Sequence, residues 1–443
     1  MLDRRCGWCG WAWLCFLAAV KWVPNLNIEQ PDWFSLEMMK TRMITAEHAG
    51  HFEEERWQAW DGMLQKEPSI HLSSRAIRAV LRSPDRAVRA AMWLNGEDEV
   101  VGIAVCEDSM AMSQGVDQHL EGTGAFQRVK RWLHRKGGLQ FKVRVVGTPL
   151  ASGPHGHRFL PGVDAHQCLE QLFQMPGLLG SSHEKAPAAW LVKDHYALAP
   201  WGDGQRLAGS SSWNPHWTDL EFDPVMKVSI EGFSSFEQYK GALRTKARTK
   251  VKRIEALSAP LAFERLSASD IQDNLPQLYR LYQAVYDRTS FRLGSLMPDD
   301  LVLLKEELKE DFQVWEAHLD GACIGFHCGM TNGHEVEAFF VGFDGGHNKT
   351  HALYQRMLLE FIRWGIERGC ASVNLGRTAL DVKSSLGAEP HRLVLHQRMT
   401  APWLHRLAKW GARASAPKQP PLKRSWKTEP AKKPSVHHEV LPT

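Results

Sequence analysis

Three strand-like segments follow one another at 312–319, 322–330 and 334–343, separated by Asp320–Gly321 and Asn332–Gly333. Both dipeptides tolerate positive φ at the centre of a two-residue hairpin. The pattern predicts an antiparallel meander, and a meander of this kind buries one face at least against helices. The stretch GFDGGHNKTHAL then leads into a helical pattern that places Leu353, Met357, Phe361 and Trp364 on one face with Leu358 beside them. Gly369 follows as a C-cap and 371–375 as a returning strand, with further strands at 226–230 and 393–399. Meander, glycine-containing loop, amphipathic helix and return strand make a β–loop–α–β unit.

The chain has 443 residues, which calls for two or three domains. Its 43% hydrophobic and 23% charged residues suit a globular protein with a sizeable core. Before the unit above, helices are expected at 46–65, 73–82 and 165–173 and strands at 99–106, 141–146 and 188–193. The Gly-, Ser- and Pro-rich stretch 201–215 marks the passage between the halves. The organisation reads as a leader at 1–45, a first domain at 46–212, a linker at 213–224, a second domain at 225–405 and a disordered basic tail at 411–443. Within the second domain, 235–257 reads as one long helix, followed by helices at 270–286 and 299–309.

From Gly411 onward seven Lys and Arg face two Glu, so the tail accounts for the net charge of +4 and the remaining body is near neutral. This argues against a broad nucleic-acid-binding surface. The eight cysteines are scattered and suggest reduced thiols and a cytoplasmic setting. No His, Cys or carboxylate cluster has ligand spacing, so no metal is expected. The uncharged run from Cys6 to Val20 is short for a membrane span. It reads as an anchor that would bring membrane association, as a signal-peptide core, or as sequence ahead of a true start at Met38, Met39 or Met43.

The start of the helix after the meander offers unpaired N–H groups and a partial positive charge, a site for a cofactor's pyrophosphate. The residues that would cradle it are Gly342, Gly345, Gly346, Asn348, Lys349 and Thr350. Glu337, in mid-strand, suits a general base for an amine acceptor, with Glu335 as a weaker substitute. Arg377 and Lys383, after the return strand, would clamp a phosphate or carboxylate. In that role Arg377→Ala would weaken ligand binding with little change in melting temperature. Lys240, Arg244, Lys246, Arg248, Lys250, Lys252 and Arg253 crowd one helix with no acid between Tyr239 and Ile254, which invites a phosphate-bearing ligand.

The segments VEAFFVGFDGGHNKTHALYQRMLLEFIRWGIERG and VNLGRTALDVKSSLGAEP, with the basic stretch YKGALRTKARTKVKRIEAL, resemble GNAT acyltransferases of the FemAB-like branch. The resemblance implies an α/β (α+β) fold of two GNAT-like domains in tandem, each a mixed, mostly antiparallel sheet flanked by helices. It implies transfer of an acyl group from acyl-CoA, acetyl-CoA first, to an amine on a small molecule or a cell-envelope precursor. A Fem-type transferase that uses aminoacyl-tRNA, and a non-catalytic tandem that binds an acidic ligand, are the alternatives. The family's Gln/Arg-led Gly-x-Gly or Gly-x-Ala loop is absent, and Asp381 and Lys383 occupy the region where a Tyr often acts as general acid. The donor therefore need not be acetyl-CoA.

Overall fold

The computed structural model describes residues 41–113, 139–177, 187–196, 217–221, 223–288, 291–402 and 423–428. The run 6–20 and the stretch 201–215 lie outside the described residues. Among the described residues, no helix is long and apolar enough to cross a membrane. The described Cys106, Cys168, Cys323, Cys328 and Cys370 are free thiols.

The protein is mixed α/β, with two mostly antiparallel sheets flanked by helices. The meander forms as its turns dictate, with strands Phe312–Leu319, Ala322–Asn332 and Glu335–Phe343. Asp320 and Gly321 both take positive φ, as a two-residue hairpin requires. At the second hairpin the turn sits one residue later than expected. Asn332 is still paired, opposite Glu335, and Gly333 opens the reversal at positive φ. That shift frees the Asn332 side chain for work elsewhere.

Helix Leu353–Glu367 packs its expected face on this sheet, burying Leu353, Met357, Leu358, Phe361 and Trp364. Each large apolar side chain buried in this way contributes about 1.5–3 kcal/mol. The same face meets Val228, Ile230, Val336 and Val373 in one core.

The two sheets share one pattern of parallel and antiparallel pairs. The first runs Arg42–Ala46, Val88–Leu94, Val100–Ser113, Leu139–Val146, Ala189–Tyr196, Leu393–Met399, Thr218–Glu221. The second, from its Ala262–Arg265 edge, runs through Phe312–Leu319, Ala322–Asn332, Glu335–Phe343, Ser372–Asn374 and Val225–Ser229 to Glu389–His391. In each, the fourth and fifth strands form a parallel pair and their other neighbours along the order are antiparallel. The sixth place is crossed over: Leu393–Met399, from the far end of the chain, completes the first sheet. A division at 213–224 therefore does not separate the sheets, because the strand expected in 225–405 pairs with Ala189–Tyr196.

Other expectations are corrected. The helix expected over 46–65 is a strand Arg42–Ala46 and a helix Glu54–Gly62, because Ala46 pairs with Ala90 while Trp57 and Trp60 enter the core. The long basic helix is two, Phe236–Ala242 and Thr245–Leu257. The break is made by the tail. Residues 423–428 dock against it, with Arg244 N donating to Ser425 O at 2.8 Å and Lys427 N to Ala242 O at 3.0 Å. Trp426 is buried beside Phe233 and Tyr239 and donates to Gly387 O at 2.8 Å. This part of the tail is therefore a structural segment rather than solvated chain.

Candidate functional site

In the second sheet the parallel pair is short. Glu335, Val336 and Glu337 face Ser372, Val373 and Asn374, and the return strand then ends. The partner continues to Phe343, and on that side no described strand pairs with 338–343. Ala338–Val341 along this open edge are only half-buried. The opening leaves backbone N–H and C=O groups available to an extended ligand.

Glu337 occupies the last paired register before the opening, opposite Asn374. Its carboxylate is buried and accepts from Asn332 Nδ2 at 2.6 Å and His71 Nε2 at 2.8 Å. His155 Nε2 lies 3.7 Å from Oε1. His71 stands in the one-turn helix Ile70–Leu72, and His155 just before the strand His157–Phe159, so both come from the first half of the chain. Ile70 N donates to Asn332 Oδ1 at 2.9 Å, which fixes that amide and aims its Nδ2 at Glu337. Ser69 Oγ lies 3.0 Å from His155 Nδ1, and the two imidazoles lie 4.5 Å apart.

Burial works to raise the Glu337 carboxyl, but the pull of His155 and His71 and the two hydrogen bonds outweigh it and hold it below the usual carboxylate range. Burial pushes His155 down to about 3 against the pull of Glu337. The arrangement is a buried carboxylate with two imidazoles, all three ligand atoms within 4.8 Å of one another. It can relay a proton or hold a cation.

The other expected residues are placed as follows. Arg377 pairs with Asp194 at 2.5 Å, and Asp194 is fully buried and also accepts from Gly153 N at 3.3 Å. Lys383 is buried, and burial pushes it down to about 7 with Asp223 opposing. Its Nζ donates to Gly376 O at 3.1 Å and to Arg377 O, which fastens the turn after the return strand. Glu335 is held by Lys227 at 2.8 Å and Ser372 Oγ at 2.6 Å.

The expected loop at 345–350 is a short helix, Gly345–His351, because Asp344 caps it by accepting from Gly346 N at 2.8 Å. Ala352, at φ 48, joins it to the long helix. Asn348 Oδ1 accepts from Tyr354 N at 3.0 Å, so one donor at the start of the long helix is already used. Thr350 Oγ1 donates to His347 O at 3.2 Å, while Lys349 is exposed. Gly345 faces Arg288. Gly342 lies under helix Ala268–Tyr286, where a Cβ would stand 2.6 Å from Tyr282 N and 2.3 Å from a Phe326 ring carbon. Its small size serves close packing.

Sequence reasoning reached Glu337 but missed His71, His155 and Asn332. His71 and Glu337 are 266 residues apart, and Asn332 reads as a turn residue. No local spacing signals their meeting.

Residues 241–391 match the family model described as the acetyltransferase (GNAT) domain. No curated protein matches the chain. Among solved structures, the chain is similar to the C-terminal domain (DUF2156) of a lysylphosphatidylglycerol synthetase described as putative, from Agrobacterium fabrum (14% identity, 81% of this chain and 96% of that one, TM-score 0.43). It is also similar to FemX (11% identity, 84% and 100% covered, TM-score 0.46). A third is a tandem GNAT protein from the clavulanic acid biosynthesis pathway (12% identity, 82% and 99% covered, TM-score 0.43). At these scores and identities none of the three bears on the chemistry of this chain.

Proposed function

We propose that this chain, whose residues 241–391 match the acetyltransferase (GNAT) domain model, transfers an acyl group from an acyl-CoA to an amine. The observation that carries the reading is the parallel pair that opens after Glu337 and Asn374, inside the matched span. An extended donor arm can lie along the open edge 338–343 and place its thioester near the point of divergence. The amine then attacks the thioester carbon, and the C–S bond breaks to release the CoA thiol. The protein's contribution is orientation, which removes most of the entropic barrier, and a backbone N–H aimed at the developing oxyanion.

Glu337 already accepts two hydrogen bonds and is held below its usual range, which makes it a weak base. We therefore assign proton uptake to water at the open edge, and to Glu337 the positioning of His71. Arg377 and Lys383 hold the turn below the opening. The exposed cations Arg244, Lys246, Lys252 and Arg253 favour one second reading, a polyanionic donor such as aminoacyl-tRNA.

The test is thermal stabilisation by acetyl-CoA, longer acyl-CoAs and charged tRNA, followed by release of free thiol in the presence of polyamines, amino sugars and amino acids. A rise in melting temperature with a thioester, and thiol release that needs an amine, is expected. Stabilisation by charged tRNA alone moves the assignment to the second reading, and silence from every donor sinks both.

A further inference from the structure

We infer that His71, His155 and Glu337 bind one divalent transition-metal ion, with Zn2+ as the reference, and that this ion ties the two halves of the chain together. The site does not depend on the acyl-transfer reading.

The ligand set is chemically coherent. Two imidazoles and a carboxylate are a donor set for zinc that leaves a fourth position open, and the same set serves other first-row ions. Zinc holds such atoms at about 2.0–2.2 Å, so in a tetrahedron the ligand atoms stand about 3.4 Å apart. Here His71 Nε2 is 2.8 Å from Glu337 Oε2, and His155 Nε2 is 3.7 Å from Oε1. The two separations, to different oxygens of the carboxylate, lie on either side of that value, and one ligand atom from each residue lies within 4.8 Å of the others.

His155 Nε2 supplies the second, independent observation. The residue is 6% exposed, and this nitrogen has no hydrogen-bond partner. An Nε2–H aimed at a carboxylate would normally close to about 2.8 Å, and at 3.7 Å it has not. Ser69 Oγ lies 3.0 Å from His155 Nδ1 and can accept a proton carried there, and in that tautomer Nε2 presents a lone pair beside the carboxylate. Two facing lone pairs repel, and a cation between them removes the conflict.

An orphan nitrogen alone would not make a site. His327 Nδ1 is also unpartnered, but its ring is stacked on Trp315 and edged by Phe361 in the core. What sets His155 apart is convergence with a second imidazole and an ionisable oxygen. Room beside it is kept by Gly153, at φ 142, where a Cβ would lie 2.4 Å from His155 Nε2.

The surrounding bonds match what metal ligands need. A ligating imidazole donates its other N–H to an oxygen, and a ligating carboxylate is itself hydrogen-bonded. Ser69 Oγ is placed to do the first for His155, and Asn332 does the second for Glu337. On binding, the proton between His71 Nε2 and Glu337 must leave Nε2, so His71 takes the Nδ1–H tautomer.

The experiment is calorimetric titration of the metal-stripped full chain with Zn2+, beside His155→Ala, His71→Ala and Ser69→Ala. Cys6, Cys9, His437 and His438 offer other places for zinc, so the variants decide rather than the stoichiometry. Loss of a ligand should weaken one binding event by more than about 100-fold, and Ser69→Ala by about 10–100-fold. Affinity unchanged in all three variants overturns the site. If the histidine variants fail to fold, Ser69→Ala and the visible spectrum of the unsubstituted chain with Co2+ decide. Intense tetrahedral bands that are weakened in Ser69→Ala support the site, and an octahedral aquo-like spectrum overturns it.

Discussion

The segment 342–353 and the cluster of Ser69, His71, His155, Asn332 and Glu337 use their polar groups in opposite ways. In the segment, Asp344 caps Gly346, Asn348 caps Tyr354 and Thr350 bonds His347, so these side chains serve the backbone around them. In the cluster, a buried imidazole nitrogen is left with no hydrogen-bond partner, 3.7 Å from a carboxylate oxygen. Glycines and Asn in a row look like a ligand cradle in one dimension, and here they also end and start helices. Isolated histidines look like nothing and converge. The difference teaches that ligand-binding capacity is what remains after the fold has satisfied its own donors and acceptors.

Three substitutions can break or sharpen that contrast. The largest effect is expected for Gly342→Val. Its first added carbon would overlap a Phe326 ring carbon at 2.3 Å and Tyr282 N at 2.6 Å, and backbone cannot move aside cheaply. A loss of about 3 kcal/mol or more is expected, read as a large fall in melting temperature or failure to fold. A stable Gly342→Val protein that loses only CoA binding would return Gly342 to the cradle.

Arg377→Ala comes next. It leaves Asp194 fully buried without its guanidinium partner, though Lys193 at 3.8 Å and Gly153 N remain. Breaking a fully buried pair costs about 3–5 kcal/mol, and the partial exposure of Arg377 lowers that to about 2–3 kcal/mol. Equilibrium unfolding should show the loss directly. Unchanged stability with weaker donor binding would make Arg377 the ligand clamp that its place in the sequence suggests.

The smallest effect belongs to Asn348→Ala, which removes a cap on Tyr354 N and should cost about 1 kcal/mol. Donor affinity should stay within about twofold, a difference worth well under 1.4 kcal/mol. A tenfold drop in affinity at constant stability would show that the start of helix Leu353–Glu367 does bind phosphate.

Much of the second sheet was legible. Asp320–Gly321 set a hairpin by its own backbone preferences, and the buried face of Leu353–Glu367 followed from 3.6-residue spacing. The first sheet was less so. The strands at 99–106, 141–146 and 188–193 read as short apolar runs, but Arg42–Ala46, Val88–Leu94 and Thr218–Glu221 were missed, and nothing in Leu393–Met399 says that it pairs with Ala189–Tyr196 rather than with its sequence neighbours. The tail misled for a different reason: a run of Lys, Pro and Ser reads as solvated chain, while the single buried Trp426 is enough to dock residues 423–428.

The sequence by itself determined the meander, the helix behind it and the place of Glu337 within the third meander strand. These rest on turn chemistry and side-chain periodicity, which act over a few residues. Tertiary structure alone decided that strands cross between the sheets, that the glycine-rich segment folds into a capped helix, and that His71 and His155 reach Glu337. Such contacts join residues as far as 266 positions apart. Their geometry is set by how two packed halves meet, and no local preference encodes that.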